Sequence, residues 1–93
     1  MKVETPSANP LLQAHARLRE AERLRQARAL DKAQGICAEL LKAQPDYVGA
    51  LQTLGLIHAE RREHEAARQN LSRAAMLSPR DWKILTALAG TYL

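Results

Sequence analysis

The chain has 93 residues, 46% of them apolar, which is material for one small core and not for two domains. Aromatics make up 3%, Phe is absent, and a single cysteine, Cys37, excludes an internal disulfide and points to a buried thiol. Net charge is +4; the opening MKVETPSANP, with Glu4, two prolines and no apolar run, does not read as a secretory signal, and no segment reaches membrane-spanning length, so a cytoplasmic setting is expected.

Ala, Leu, Arg, Glu and Gln dominate, and all lose little side-chain freedom in a helix, so the expected class is all-α. Residues 1–9 read as a disordered tail. Asn9 and Pro10 then supply a cap and a first-turn proline for helix one, whose apolar series Leu11, Ala14, Leu18, Ala21 and Leu24 runs at spacings of three and four. The pattern loosens at Arg28 to Leu30. Asp31 is the expected cap of a second helix with Ala33, Ile36, Cys37, Leu40 and Leu41 on one face, stopped at Gln44-Pro45.

Asp46 is the expected cap of a third helix carrying Val48, Leu51, Leu54, Gly55 and His58. The polar stretch ERREHE turns the chain into a fourth, lined by Ala66, Ala67, Leu71, Ala74 and Ala75 and ended by Ser78-Pro79. Asp81 caps a fifth, with Trp82, Ile84, Leu85, Leu88, Ala89 and Tyr92. Pro45 and Pro79 are 34 residues apart, as are Leu51 and Leu85, Leu54 and Leu88, and Ala33 and Ala67.

That period carries a family resemblance. Leu51-x2-Leu54-Gly55-x2-His58, then Ala67-x3-Leu71, Ala74 and Pro79, resembles the tetratricopeptide repeat (TPR), a 34-residue helix-turn-helix unit, with its two aromatic slots taken by Leu51 and His58. The first unit keeps Ala21, Leu24, Ala33, Cys37 and Pro45 in register but has Arg17 and Glu20 in apolar slots. Leu85, Leu88, Ala89 and Tyr92 match the opening half of a third. The resemblance divides residues 10–93 into a first repeat at about 14–47, a second at 48–81 and a half repeat at 82–93. It implies an α-solenoid of antiparallel helix pairs, five helices in a right-handed superhelix. Gly55, Ala21 and Ala89 should sit where the paired helices press together, with Ala67 and Ala33 facing them, while Leu51, Leu54, Leu71, Leu85 and Leu88 fill the larger spaces.

The resemblance also implies a protein-interaction scaffold that binds a peptide or protein segment along a concave wall made of the first helix of each unit. The wall candidates are His15, Arg19, Glu22, Arg25 and Gln26, then Gly49, Gln52, Thr53, Leu56, Ala59 and Glu60, then Lys83, Thr86, Ala87 and Gly90. The polar, mostly basic first wall and the apolar pair Leu56 and Ala59 suit an extended partner with one acidic end and one apolar anchor. Members that bind chaperone tails clamp a terminal carboxylate with Lys, Asn and Arg. Here the matching positions hold Leu18, Glu22, Thr53, Lys83 and Ala87, and only Lys83 fits, so no such binding is expected. The family also occurs as an appendage of larger enzymes such as bacterial sulfotransferases, glycosyltransferases and hydroxylases, which gives a second reading.

Nothing in the chain points to catalysis. His15, Cys37, His58 and His64 match no zinc spacing, Cys37 falls on an apolar face where burial raises a thiol pKa, and there is no phosphate loop; no cofactor and no metal are expected. Arg17, Arg19, Arg23, Arg25, Arg28 and Lys32, set against Glu20, Glu22 and Asp31, offer a third reading as an acidic-surface or nucleic-acid binder. No aromatic platform accompanies them, and a solvated helix face is the plainer account. The apolar last helix reads as the start of a repeat lacking its second helix, from a longer array, or as a two-fold docking surface. Either way Ile84, Leu88 and Tyr92 are expected to be exposed and to favour a homodimer.

Overall fold

The computed structural model describes residues 10–92, so the expected tail and Asn9 cap lie outside the described residues, as does Leu93. The fold is all-α: α1 (Pro10–Gln26), α2 (Leu30–Ala43), α3 (Val48–Glu60), α4 (His64–Leu77) and α5 (Trp82–Gly90), joined by short turns. Each helix packs on its neighbour in the chain, and α1 also meets α3.

The turns repeat with the same period as the side chains. Arg28 and Arg62, 34 residues apart, both adopt left-handed backbone with φ of 68° and 64°. Around each, the next amide reaches back five residues, Ala29 N to Leu24 O and Glu63 N to His58 O, both at 2.8 Å. This bond closes a helix end and satisfies one of its orphan carbonyls. The second turn repeats as well: Gln44 N donates to Leu40 O at 2.8 Å and Ser78 N to Ala74 O at 2.9 Å. Two chemically different sequences, RALD and REHE, thus make one backbone geometry.

Helix starts differ from expectation. Asp81 does cap α5, accepting from the Lys83 amide at 3.0 Å. Asp31 and Asp46 do not cap: α2 begins after Ala29 and α3 after Tyr47, with no side-chain cap bond at either. Both carboxylates instead reach α4 or the turn before it. Arg61 donates to Asp31, and Arg73 Nη2 donates to Asp46 Oδ1 at 2.6 Å. An ion pair to a neighbouring unit has taken the carboxylate that the cap would have used.

Two apolar clusters hold the helices. Ala21, Ala33, Ile36, Cys37 and Ile57 join α1, α2 and α3, with Leu24, Leu30, Leu40 and Leu54 against them. Leu51, Ala74 and Ile84 join α3, α4 and α5, flanked by Leu41, Val48 and Ala75. Because each cluster draws on three helices, no helix pair has a core of its own. Ala67 and Leu71 are fully buried, but the group closest to Gly55 is Leu71 and not Ala67 or Ala33. A Cβ at Gly55 would lie 2.6 Å from Leu71 Cγ, so glycine there makes room for a leucine.

The last helix departs from expectation in which side it buries. Ile84 is fully buried and so is no part of an exposed docking surface. Leu88 is half-buried, and Tyr92 is exposed as expected. Leu85 fills no inter-helix space, being 44% exposed, and Ala89 is exposed and presses on no partner helix.

Candidate functional site

The candidate wall is built by the contact of α1 with α3, which local sequence makes possible. Gly49, in the first turn of α3, has no side chain, and Leu18 of α1 occupies the space: its Cδ2 lies 2.5 Å from where a Cβ would stand. Tyr47 closes the same contact, with Cε1 3.6 Å from that point. Its phenol is pushed up from its ordinary pKa by burial first and by Glu22 second. Gly49 thus makes room for Leu18, a packing role that an unremarkable glycine inside a helix pattern gives no sign of.

At the other end of the two helices, Arg25 Nη1 donates to Glu60 Oε2 at 2.6 Å, with side chains 20% and 28% exposed. Arg28 Nη1 reaches the same carboxylate at 3.5 Å. Arg25 and Glu60 are both wall candidates, and they bind each other. A half-buried, charge-assisted pair of this kind fixes the spacing of α1 and α3 and removes two charges from the exposed supply.

The remaining candidates divide by exposure. His15, Arg19, Glu22 and Gln26 on α1 and Lys83, Thr86 and Gly90 on α5 are exposed; Gln52, Leu56 and Ala59 on α3 and Ala87 on α5 are half-buried. Thr53 is 2% exposed and belongs to the interior, which withdraws it from the wall. Its slot lies between Gln52 and Leu54, where helical periodicity alone left open which side the hydroxyl took.

Three of the six cations of the basic stretch are paired. Arg17 meets Glu39 at 3.0 Å and Glu20 at 3.5 Å, and Arg25 and Arg28 share Glu60. Among the described residues, Arg19, Arg23 and Lys32 have no carboxylate within ion-pair distance. All three are exposed, two on α1 and one on α2.

One cavity falls where no candidate was placed. An open cleft of about 670 Å³ between α1 and α2 is lined by Gln13, Ala14, Ala16, Arg17, Glu39, Leu40, Ala43 and Gln44. Arg17, one of its lining residues, stands where the second unit has the buried Leu51 and pairs with Glu39. The signal was present in the repeat register as a charged residue in an apolar slot.

The reactive side chains give little chemistry. Burial pushes the Cys37 thiol up from 9.0 to about 11, Glu22 adds to the rise, and Arg25 opposes it. A neutral, enclosed thiol is a poor nucleophile. His58 Nδ1 lies 2.6 Å from Glu63 Oε1, packed at the turn between α3 and α4, while His15 and His64 are exposed and apart from it. Among the described residues no three His, Cys, Asp or Glu side chains are grouped as a metal site would need. Models of known protein families give no match to the chain, and curated proteins give no significant one.

Proposed function

We propose that the chain is a protein-interaction module of the tetratricopeptide kind, which binds an extended peptide or protein segment along the wall of α1, α3 and α5. The observation that carries this reading is the 34-residue repeat, present in the side-chain slots and again in the left-handed turns at Arg28 and Arg62. The direct seating of α1 on α3 through Leu18 and Gly49 supports it, since it sets the first helices of the two units side by side. The exposed heads of Arg19, Arg23 and Lys32 favour an acidic end on the partner, and Leu56 and Ala59 an apolar anchor. A cytoplasmic setting suits such a scaffold, and no helix among the described residues is long and apolar enough to cross a membrane.

The test is selection of peptides from a displayed library of extended sequences, followed by amide-shift mapping of the best binder on the labelled chain. Shifts at Arg19, Gln52, Leu56 and Lys83, with a loss of at least about tenfold for Arg19→Glu and for Leu56→Asp, are the expected result. Binders that map to the α1–α2 cleft, or none at all, would count against the wall.

A further inference from the structure

The row of α1 side chains that faces α3 carries one unmatched charge. Leu18, Glu22 and Arg25 follow one another along it at helical spacing. Leu18 enters the space above Gly49, and Arg25 crosses to Glu60 of α3 at 2.6 Å. Glu22 lies between these two contacts. It is exposed, and among the described residues no cation lies within ion-pair distance of it. Arg25, one turn away and the natural partner, is taken by Glu60. Burial raises the pKa of the Tyr47 phenol, just before α3, and of the Cys37 thiol on α2, and the Glu22 charge adds to each rise. The carboxylate thus stands near the junction of α1, α2 and α3.

A polar group without a partner lies in the same place. The Tyr47 phenol oxygen is enclosed and has no hydrogen-bond partner among the described residues, whereas a buried phenol is ordinarily paired. The Tyr47 ring and Leu18 are each half-buried, so part of their apolar surface stays open. A long basic side chain matches all of these features. Its methylenes suit Leu18 and the ring, its positive head suits Glu22, and it has N–H donors enough for the carboxylate and the phenol together. An acidic side chain at the same point would meet a like charge and bring no donor.

We propose that Glu22 is the specificity residue of the wall and receives a basic side chain, lysine or arginine, of the bound peptide, with Leu18 and Tyr47 as the floor for its stem. This rests on the wall being the peptide site. Arg19 and Arg23 are exposed on either side of Glu22 along α1, so acidic residues of the partner flank the basic one.

The probe is the best binder from the displayed library, with each of its basic residues replaced in turn by glutamate. One replacement is expected to weaken binding to the native chain at least about tenfold, and that same peptide should regain most of the loss against Glu22→Lys. Glu22→Gln should weaken the unaltered peptide at least about threefold, and Tyr47→Phe, which keeps the ring, should also weaken it. An unchanged urea midpoint for each variant shows that the fold is kept. A binder that maps to the wall but has no basic residue, or that binds the native chain, Glu22→Gln and Glu22→Lys equally, overturns the inference and leaves the wall as the peptide site. Loss of binding by Glu22→Lys that no charge-reversed peptide recovers also overturns it, because Glu22 then only shapes the surface. Binders that map to the α1–α2 cleft, or none at all, overturn both the inference and the wall.

Discussion

Gly55 and Leu71 act as a pair whose volumes are matched, and the pair makes a sharper test of the packing than either residue alone. Gly55→Ala is expected to cost about 1 to 3 kcal/mol, because the new methyl meets a leucine that is itself fully enclosed. Leu71→Ala should cost about 2 to 5 kcal/mol, the range for emptying a closed slot. The pairing of Ala21 with Cys37 predicts that Leu71→Cys partly rescues Gly55→Ala, with a coupling of about 1 kcal/mol or more in a urea-denaturation cycle. Additive effects would show that the two sites do not compete for space. Cys37 makes its own prediction. With its pKa at 9.0 unfolded and about 11 folded, the thiol is neutral in both states below pH 9 and favours neither. Between pH 9 and 11 the unfolded chain loses its proton first, so stability falls by about 2 to 3 kcal/mol as pH rises, and Cys37→Ala should remove that part of the slope. In the native chain at pH 8 the thiol should react with a disulfide reagent only as fast as the fold opens.

The two left-handed turns carry strain that a glycine would relieve. Arg62 has φ of 64°, is exposed and has no ion pair among the described residues, so its side chain contributes little to offset that conformation. Arg62→Gly is expected to raise stability by about 0.5 to 1 kcal/mol, read as a higher urea midpoint at an unchanged slope, and a lower midpoint would show that the arginine side chain holds the turn. This position also marks the boundary of what was legible beforehand. Helix order, the turn positions and the burial of Ala33, Cys37, Ala67 and Leu71 follow from a period that local residues display. Arg28 and Arg62 do not look like left-handed residues, since glycine usually occupies that place, and only their separation of 34 links them. A cap is a local signal, and Asp31 and Asp46 both give it, but each pairs with an arginine 27 to 30 residues away. The Arg25–Glu60 pair was hidden for the same reason. It joins residues 35 apart, so no window on the sequence contains both. The burial of Ile84 is not legible in the sequence, because a helix with apolar residues on several sides does not say which side is covered first.

The arrangement of all five helices bears on whether the proposed wall holds the end of a peptide, and it argues against a carboxylate clamp of the chaperone-binding type. Of the positions that would form one, Leu18 is committed to the space above Gly49, and Thr53 is 2% exposed. Glu22 presents a negative charge where a carboxylate would have to sit, and Ala87 is half-buried without a polar group. Lys83 alone is an exposed cation in the right register, and one exposed charge pair contributes at most about 1 kcal/mol. A clamp of micromolar affinity needs about 8 kcal/mol in total, which that single contact does not approach. An acidic chaperone C-terminal peptide should therefore give no saturable heat with the chain at micromolar concentrations, and submicromolar affinity by calorimetry would refute this account of the wall. Weak binding of such a peptide at low salt remains compatible with it, since Arg19, Arg23 and Lys32 attract any acidic chain. That binding should weaken with added salt as the exposed charges are screened, and should not depend on whether the peptide ends in a free carboxylate or an amide. A clamp would show the opposite pattern, losing its ligand on amidation and keeping much of it in salt. The two titrations together separate attraction to a charged face from recognition of a chain end.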